Sequence, residues 1–81
     1  MNLFFTAHFK KSLAGFSKEI DAKLQKQADF LLENIRHPSL RAKKYDETKN
    51  IWQARVDGTI RFYFVIRDDS YVLLEIKKHP K

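Results

Sequence analysis

Apolar residues of this 81-residue chain recur with a helical period in its first half and with a period of two in its last third. The helical stretch follows Ser17, and its apolar positions step by three or four residues: Ile20, Leu24, Ala28, Leu31 and Ile35. This spacing predicts a helix with one buried stripe. Ser17 suits its N-cap, with Glu19 and Asp21 in the positive first turn. Arg36 suits the negative end, and Pro38 stops the helix.

A strand and a shorter helix are predicted before this element. Asn2 to Phe5 form a short opening strand, and Phe9 to Phe16 form a helix. Thr6 suits the N-cap of that helix, which closes near Gly15.

Three runs rich in Ile, Val, Phe and Tyr occupy the last third: Ile51 to Val56, Ile60 to Arg67, and Tyr71 to Lys77. The turn formers Asp57-Gly58 and Asp68-Asp69-Ser70 separate them. Short β-type runs joined by such turns predict an antiparallel meander.

Side chains alternate between the two faces of a strand, so each run divides into two sets. One set is apolar: Trp52, Ala54, Val56, Ile60, Phe62, Phe64, Ile66, Val72, Leu74 and Ile76. The other set is mostly polar: Gln53, Arg55, Arg61, Tyr63, Glu75, Lys77 and, in phase beyond them, His79. The predicted fold class is therefore α+β, with two N-terminal helices packed on the apolar face of a twisted antiparallel sheet, in a single domain over residues 1–81.

Composition narrows the possible partners. The net charge is +6 and the sequence pI is about 9.7, which favours a polyanion such as nucleic acid or an acidic protein. With no Cys and three scattered His, neither a metal site nor another cofactor is expected. No apolar run is long enough to span a bilayer, so we expect a soluble cytoplasmic protein without a membrane partner.

The polar set of the strands combines arginine, lysine, tyrosine and histidine with a single glutamate. Guanidinium groups bind phosphate oxygens through a planar fork, and an imidazole can gain or lose a proton near neutral pH. A wet outer face is also the usual arrangement of an antiparallel sheet. The pattern alone is consistent with a phosphate site and with a plain solvated surface.

Four segments of the second half carry a family resemblance. They are Leu-Arg-x-Lys-Lys at 40–44, Trp-x-x-Arg at 52–55, Arg-Phe-Tyr-Phe at 61–64, and His79 after the last strand. In order and spacing the chain resembles the RelE/ParE superfamily of toxins from toxin-antitoxin modules, and most of all its YoeB/RelE-like mRNA interferases.

That resemblance implies a ribosome-dependent endonuclease that cleaves mRNA without a metal, through attack of a 2'-hydroxyl on the adjacent phosphorus. The products are a 2',3'-cyclic phosphate and a 5'-hydroxyl. It implies an active-site arginine at Arg61 and a proton carrier at His79, with Arg55 as a second charge stabiliser. RNA or phosphate contacts are expected from a further set: Arg41, Lys43, Lys44, Lys49, Tyr63 and Lys77. As an alternative, a desolvated lysine at 43, 44 or 49 would assist proton transfer. The implied partners are a cognate antitoxin, the ribosome and mRNA.

The sequence departs from the YoeB-like pattern after His79, where Pro80 stands in place of a tyrosine. The pattern's carboxylate before the sheet also has no assigned counterpart, although Asp46 and Glu47 are nearby. Two alternatives therefore stay open. One is a ParE-like poison of DNA gyrase without chemistry of its own, and the other is a degenerate toxin that acts as a basic binding module.

Overall fold

Two helices lie between a first strand and four further strands in the computed structural model, which describes residues 1–79. The elements are β1 (Asn2–Phe5), α1 (Ala7–Ala14), α2 (Lys18–Glu33), β2 (Lys43–Asp46), β3 (Ile51–Arg55), β4 (Ile60–Arg67) and β5 (Ser70–Lys78). Within residues 1–79, neither helix is long and apolar enough to cross a membrane.

Both helices begin at the caps that the sequence predicts. The Thr6 hydroxyl accepts a hydrogen bond from the Phe9 amide at 3.1 Å, and the Ser17 hydroxyl accepts one from the Ile20 amide at 3.3 Å. The end of α2 differs from the prediction, because the helix stops at Glu33 and its last turn holds no basic residue. Arg36 lies beyond the helix, in the loop that leads to β2.

The five strands form one sheet in the order β1-β5-β4-β3-β2. Strands β2 to β5 pair antiparallel along the chain, which confirms the predicted three-stranded meander and places β2 beside β3 at its edge. Strand β1 pairs parallel with β5, so the sheet is mixed. The two N-terminal helices connect β1 to the rest of the sheet, and the predicted α+β class is confirmed.

The helices and one face of the sheet share a core. Phe9 of α1 and Leu24 and Leu31 of α2 are fully buried against strand residues that include Phe62 and Phe64. Trp52 is half-buried at the border of this core, with its ring centroid 6.2 Å from that of Phe64. The apolar faces predicted for β3 and β4 therefore point toward the helices.

The predicted face of β5 is wrong over its first half. Between Tyr63 and Phe64 the register shifts, because Tyr63 pairs with Glu75 while Phe64 pairs with Leu73. One extra residue on β5 reverses the alternation on one side of the shift. The buried side chains are consequently Tyr71 and Leu73, whereas Val72 and Leu74 are only half-buried. Ile66 is also 44% exposed, near the end of the β4–β5 hairpin.

One polar side chain of α2 is buried at the junction of helix, loop and sheet. The Gln27 side-chain amide donates to the carbonyl oxygens of Ser39 at 3.0 Å and Arg55 at 2.8 Å, and its oxygen accepts from the Ser39 hydroxyl at 2.9 Å. Gln27 is only 5% exposed, and its hydrogen bonds are partly buried, since Arg55 is half-buried and Ser39 is exposed. The loop is fixed to β3 a second time, because the Arg55 amide donates to the Leu40 carbonyl at 2.9 Å.

We predict that Gln27→Glu destabilises the fold by about 2 to 4 kcal/mol, because two partly buried carbonyl groups lose their donor and face a carboxylate oxygen instead. Urea unfolding measures the loss. Gln25→Glu, at an exposed position of the same helix, is the matched control and should change stability by less than about 0.5 kcal/mol. Equal unfolding midpoints for the two variants would contradict the assigned role of Gln27.

Candidate phosphate-binding site

The polar side chains of the strands meet at one end of the uncovered sheet face. Lys43 of β2 lies opposite Gln53 of β3, Arg55 lies opposite Arg61 of β4, and Arg61 lies opposite Lys77 of β5. Residues directly opposite each other in a sheet point to the same face. The polar face predicted from alternation is therefore present, and it spans four strands.

A cavity of about 300 Å³ opens at this end of the sheet. Its lining is Arg41, Lys43, Gln53, Ala54, Arg55, Arg61 and His79, and we call it the basic cavity. All three residues expected to be catalytic and two of those expected to bind phosphate belong to this set. Among the described residues 1–79, the seven lining side chains include four cations and one imidazole, and none is a carboxylate.

The guanidinium of Arg61 is held by backbone carbonyl groups. Its Nη1 donates to the Asp57 oxygen at 2.7 Å and to the Ile60 oxygen at 3.2 Å. Both hydrogens of Nη1 are thereby used, and the Nε and Nη2 hydrogens are the donors that a ligand would meet. A guanidinium fixed in this way is oriented before a phosphate arrives.

The turn between β3 and β4 supplies these carbonyls, and the Asp57 carboxylate shapes it. Its Oδ1 accepts from the amides of Thr59 and Ile60, each at 2.9 Å. The hydrogen bond from the Thr59 amide is the main cause that lowers the pKa of Asp57 below its ordinary value of 3.8, and the Ile60 amide and Lys23 add to it against the effect of burial. Gly58 has no positive φ, so this carboxylate, rather than a glycine conformation, closes the turn.

Two lining residues enter the basic cavity from irregular backbone. The His79 amide donates to the Thr59 carbonyl at 2.7 Å, which fixes the chain just past β5 beside the same turn. Arg41 has φ of 47°, a left-handed conformation that costs an L-residue roughly 1 to 2 kcal/mol. Such strain in a non-glycine residue recurs at binding sites, where surrounding structure maintains it.

Four of the predicted RNA contacts lie outside the basic cavity. Lys44 has its ammonium 5.3 Å from the centre of the Trp52 ring, and Lys49 is exposed in the β2–β3 turn. Tyr63 is only 4% exposed, with the Lys77 ammonium 5.1 Å from its ring centre and Tyr45 against its edge. Tyr63 therefore offers little ring surface for stacking on a base.

No described residue, from 1 to 79, forms an ion pair with the charges of the basic cavity. Within residues 1–79, the ion pairs involve His8, Lys23 and their acidic partners, and none involves a cation of this cavity. Like charges gathered around one space repel each other and favour the entry of an anion. Arginine forks recognise phosphate oxygens with paired charge-assisted hydrogen bonds, so a phosphodiester matches this lining.

Sequence patterns alone left out three residues that build the cavity. Gln27 lies three residues after Leu24 and four before Leu31, which places it on the apolar stripe of the helix. A polar residue at such a position is the sequence signal that indicates a buried hydrogen-bonding side chain. Gln53 is buried on the polar face, and Asp57 acts through its turn. No sequence signal distinguishes these last two from ordinary polar residues of a sheet and its turn.

No protein-family model and no curated protein matches the amino-acid sequence. Solved structures do match the fold. YafQ from E. coli strain BL21(DE3) is 13% identical, with a TM-score of 0.78 over 96% of this chain and 92% of that chain. The RelBE2 toxin-antitoxin complex from Mycobacterium tuberculosis gives 22% identity and a TM-score of 0.75 over 96% of both chains. The YoeB dimer from Staphylococcus aureus gives 20% identity and a TM-score of 0.69 over 99% of this chain and 98% of that chain.

These likenesses extend over nearly the whole of each chain, and they show a shared fold. The protein shares the fold of these YafQ, RelBE2 and YoeB structures, which is the fold that its sequence resemblance predicts. The departure at Pro80 lies outside the described residues.

We predict that Asp57 contributes pH-dependent stability. Because the pKa of Asp57 is lower in the folded chain, the ionised carboxylate stabilises the fold. This stabilisation is complete at pH values above the ordinary pKa of 3.8, and it is lost as the pH falls through the lower pKa of the folded chain. Asp57→Asn keeps an acceptor oxygen but has no charge. Urea unfolding should therefore show a deficit for Asp57→Asn at neutral pH that shrinks when the pH is lowered below 3.8.

Asp29→Asn, an exposed change on α2, is the control for the general effect of losing a carboxylate. A deficit of Asp57→Asn that has the same size at neutral and acidic pH would contradict the role given to the charge.

Proposed function

We propose that the protein is the toxin of a toxin-antitoxin module and that it cleaves mRNA on the ribosome, with the basic cavity as its active site. The observation that carries this proposal is the convergence of four cations and an imidazole on one cavity: Arg41, Lys43, Arg55, Arg61 and His79. The fold adds support, since RelBE2 and a YoeB–YefM heterotetramer among the similar structures are toxin-antitoxin complexes.

In the proposed reaction, the 2'-oxygen of a nucleotide bonds to the adjacent phosphorus while the bond from phosphorus to the 5'-oxygen breaks. The 2'-hydroxyl loses a proton and the leaving 5'-oxygen gains one, which gives a 2',3'-cyclic phosphate and a 5'-hydroxyl. Negative charge develops on the phosphoryl oxygens, and fixed cations next to those oxygens lower the barrier. The reaction as written requires positioning, proton transfer and positive charge from the protein.

Arg61 is the proposed charge stabiliser, because its guanidinium is already oriented by two carbonyls and keeps free donors. His79 is the proposed proton carrier, since it is the one imidazole that lines the basic cavity. Arg55 is the second charge stabiliser, and Arg41 and Lys43 hold the neighbouring backbone phosphates. Lys44, Lys49 and Lys77 contribute to the wider electrostatic attraction for RNA.

The proposed partners are an antitoxin, the ribosome and mRNA, in the cytoplasm. A net charge of +6 favours an acidic antitoxin segment, because complementary potentials accelerate association and stabilise the complex. Such a segment would oppose the cations of the basic cavity, and its binding would weaken as salt is added.

We predict that Arg61→Ala and His79→Ala each slow mRNA cleavage by about 100-fold or more, since removal of an electrostatic donor or a proton carrier typically has an effect of that order. Single-turnover cleavage on programmed ribosomes measures the rates, and mapped product ends identify the cyclic phosphate. Arg67→Ala is the matched control, because Arg67 is an exposed arginine at the opposite end of β4. It should cleave at the parental rate.

Thermal melts on the same samples separate chemistry from folding. His79→Ala should melt with the parent, because His79 is exposed. Arg61→Ala should melt somewhat lower but stay folded at the assay temperature, because it loses two hydrogen bonds to backbone carbonyls and leaves the apolar core intact. Parental cleavage rates in either variant would refute its assignment. A parent chain that leaves mRNA intact but causes gyrase-dependent DNA breaks would replace the proposal by the ParE-like alternative, and no effect in either assay would leave a basic binding module.

A further inference from the structure

A second cavity adjoins the basic cavity on the other side of Arg41. Its volume is about 340 Å³, and its lining is Ile35, Arg36, His37, Pro38, Arg41, Ala42 and Trp52. We call it the Trp52 cavity. Small-molecule sites in proteins occupy roughly 300 to 1,000 Å³ and are mostly apolar with a few polar groups, and this cavity has that size and that mixture.

The walls of the Trp52 cavity combine flat rings with hydrogen-bond donors. The His37 ring stacks on Phe30, with 3.8 Å between centroids and 8° between planes. Its Nδ1 accepts from the Ser39 amide at 3.2 Å, so the neutral ring carries its hydrogen on Nε2. Arg36 and Arg41 add guanidinium groups. The Lys44 ammonium, which is not part of this lining, lies 5.3 Å from the Trp52 ring centre and donates to the Asn50 side-chain oxygen at 3.0 Å. Aromatic walls beside cations are how proteins hold unstacked nucleobases.

Arg41 lines both cavities and has a left-handed backbone. Arg41 therefore lies between the basic cavity, which matches a phosphate, and the Trp52 cavity, which is large enough for a base. A cation at this position can bind the phosphate that joins two nucleotides. A third cavity, of about 440 Å³, shares Arg55 with the basic cavity in the same way. That cavity, however, is also lined by Asp57, whose carboxylate is 3.7 Å from the Lys23 ammonium, so part of its positive charge is already compensated.

We propose that the Trp52 cavity is a nucleotide subsite, which holds the base of a nucleotide next to the scissile phosphate while Arg41 holds the connecting phosphate. This inference rests on the proposed ribonuclease function, and it adds a binding site for a second nucleotide. It gives Arg36 a function in RNA binding outside the basic cavity.

The chain contains its own probe for this site, because Trp52 is its single tryptophan. A dinucleoside monophosphate whose first sugar is 2'-deoxy is a suitable ligand, since it lacks the attacking hydroxyl. We expect it to quench the Trp52 fluorescence in a saturable titration. Inorganic phosphate, which matches the basic cavity alone, should leave the emission nearly unchanged.

Arg36→Ala tests the subsite without touching the proposed active site, because Arg36 is exposed and lines only the Trp52 cavity among the three described here. It should weaken dinucleotide binding by about tenfold or more, as expected for a lost hydrogen bond to a charged group. Arg67→Ala removes the same side chain elsewhere and should bind like the parent. Arg41→Gly removes the shared guanidinium at a position whose φ glycine accepts, so it should fold and should also bind weakly.

Three results would overturn the subsite. They are no quenching at millimolar dinucleotide, equal affinities for Arg36→Ala and Arg67→Ala, and quenching by an acidic aromatic peptide but not by the dinucleotide, which would assign the cavity to a protein partner. The proposed function fails separately. A chain that binds the dinucleotide at Trp52 but leaves mRNA intact on ribosomes would keep the subsite and refute the cleavage.

Discussion

The buried amide of Gln27 is the contact on which the candidate site depends. It joins α2 to the Ser39 carbonyl of the loop and to the Arg55 carbonyl of β3. Ser39 and Leu40 are therefore held in place by α2 and β3. Arg41 and Lys43 come shortly after them in the chain, and both line the basic cavity. A small domain has few layers with which to immobilise a loop, and a satisfied buried polar group fixes both position and direction in a way that apolar contact does not.

Rigid backbone supports the positive charge of the site. Arg55 and Arg61 face each other across β3 and β4, and the β3–β4 turn both orients Arg61 and holds the start of the segment that carries His79. Repulsion among these cations lowers the free energy of unfolding of the ligand-free protein. The hydrogen bonds of Gln27 and Asp57 hold the cations together despite this repulsion. A bound anion would neutralise the repulsion. Groups of like charge that destabilise the fold are typical of functional sites.

The residue pattern predicted the helices, their caps, the meander and the polar face, because each depends on local periodicity and on turn chemistry. It did not predict features that depend on tertiary structure. The shift at Leu74 reversed the faces of Val72 and Leu73, since a single extra residue in a strand leaves no reliable mark in a run of apolar residues. Tyr63 has the correct face but is covered by its neighbours. Arg36 was assigned to a helix end and instead lines the Trp52 cavity, a role that depends on the path of the loop.

The proposed function requires that the basic cavity bind a phosphodiester through arginines that are held in place before binding. Nuclear magnetic resonance of the arginine Nε–Hε groups tests it directly, because the chain has arginines only at 36, 41, 55, 61 and 67. During titration with the 2'-deoxy dinucleotide, the Arg55 and Arg61 signals should shift in a saturable way while the Arg67 signal stays in place. Shifts of Arg67 as large as those of Arg61, or no shift of Arg61 at all, would contradict the account.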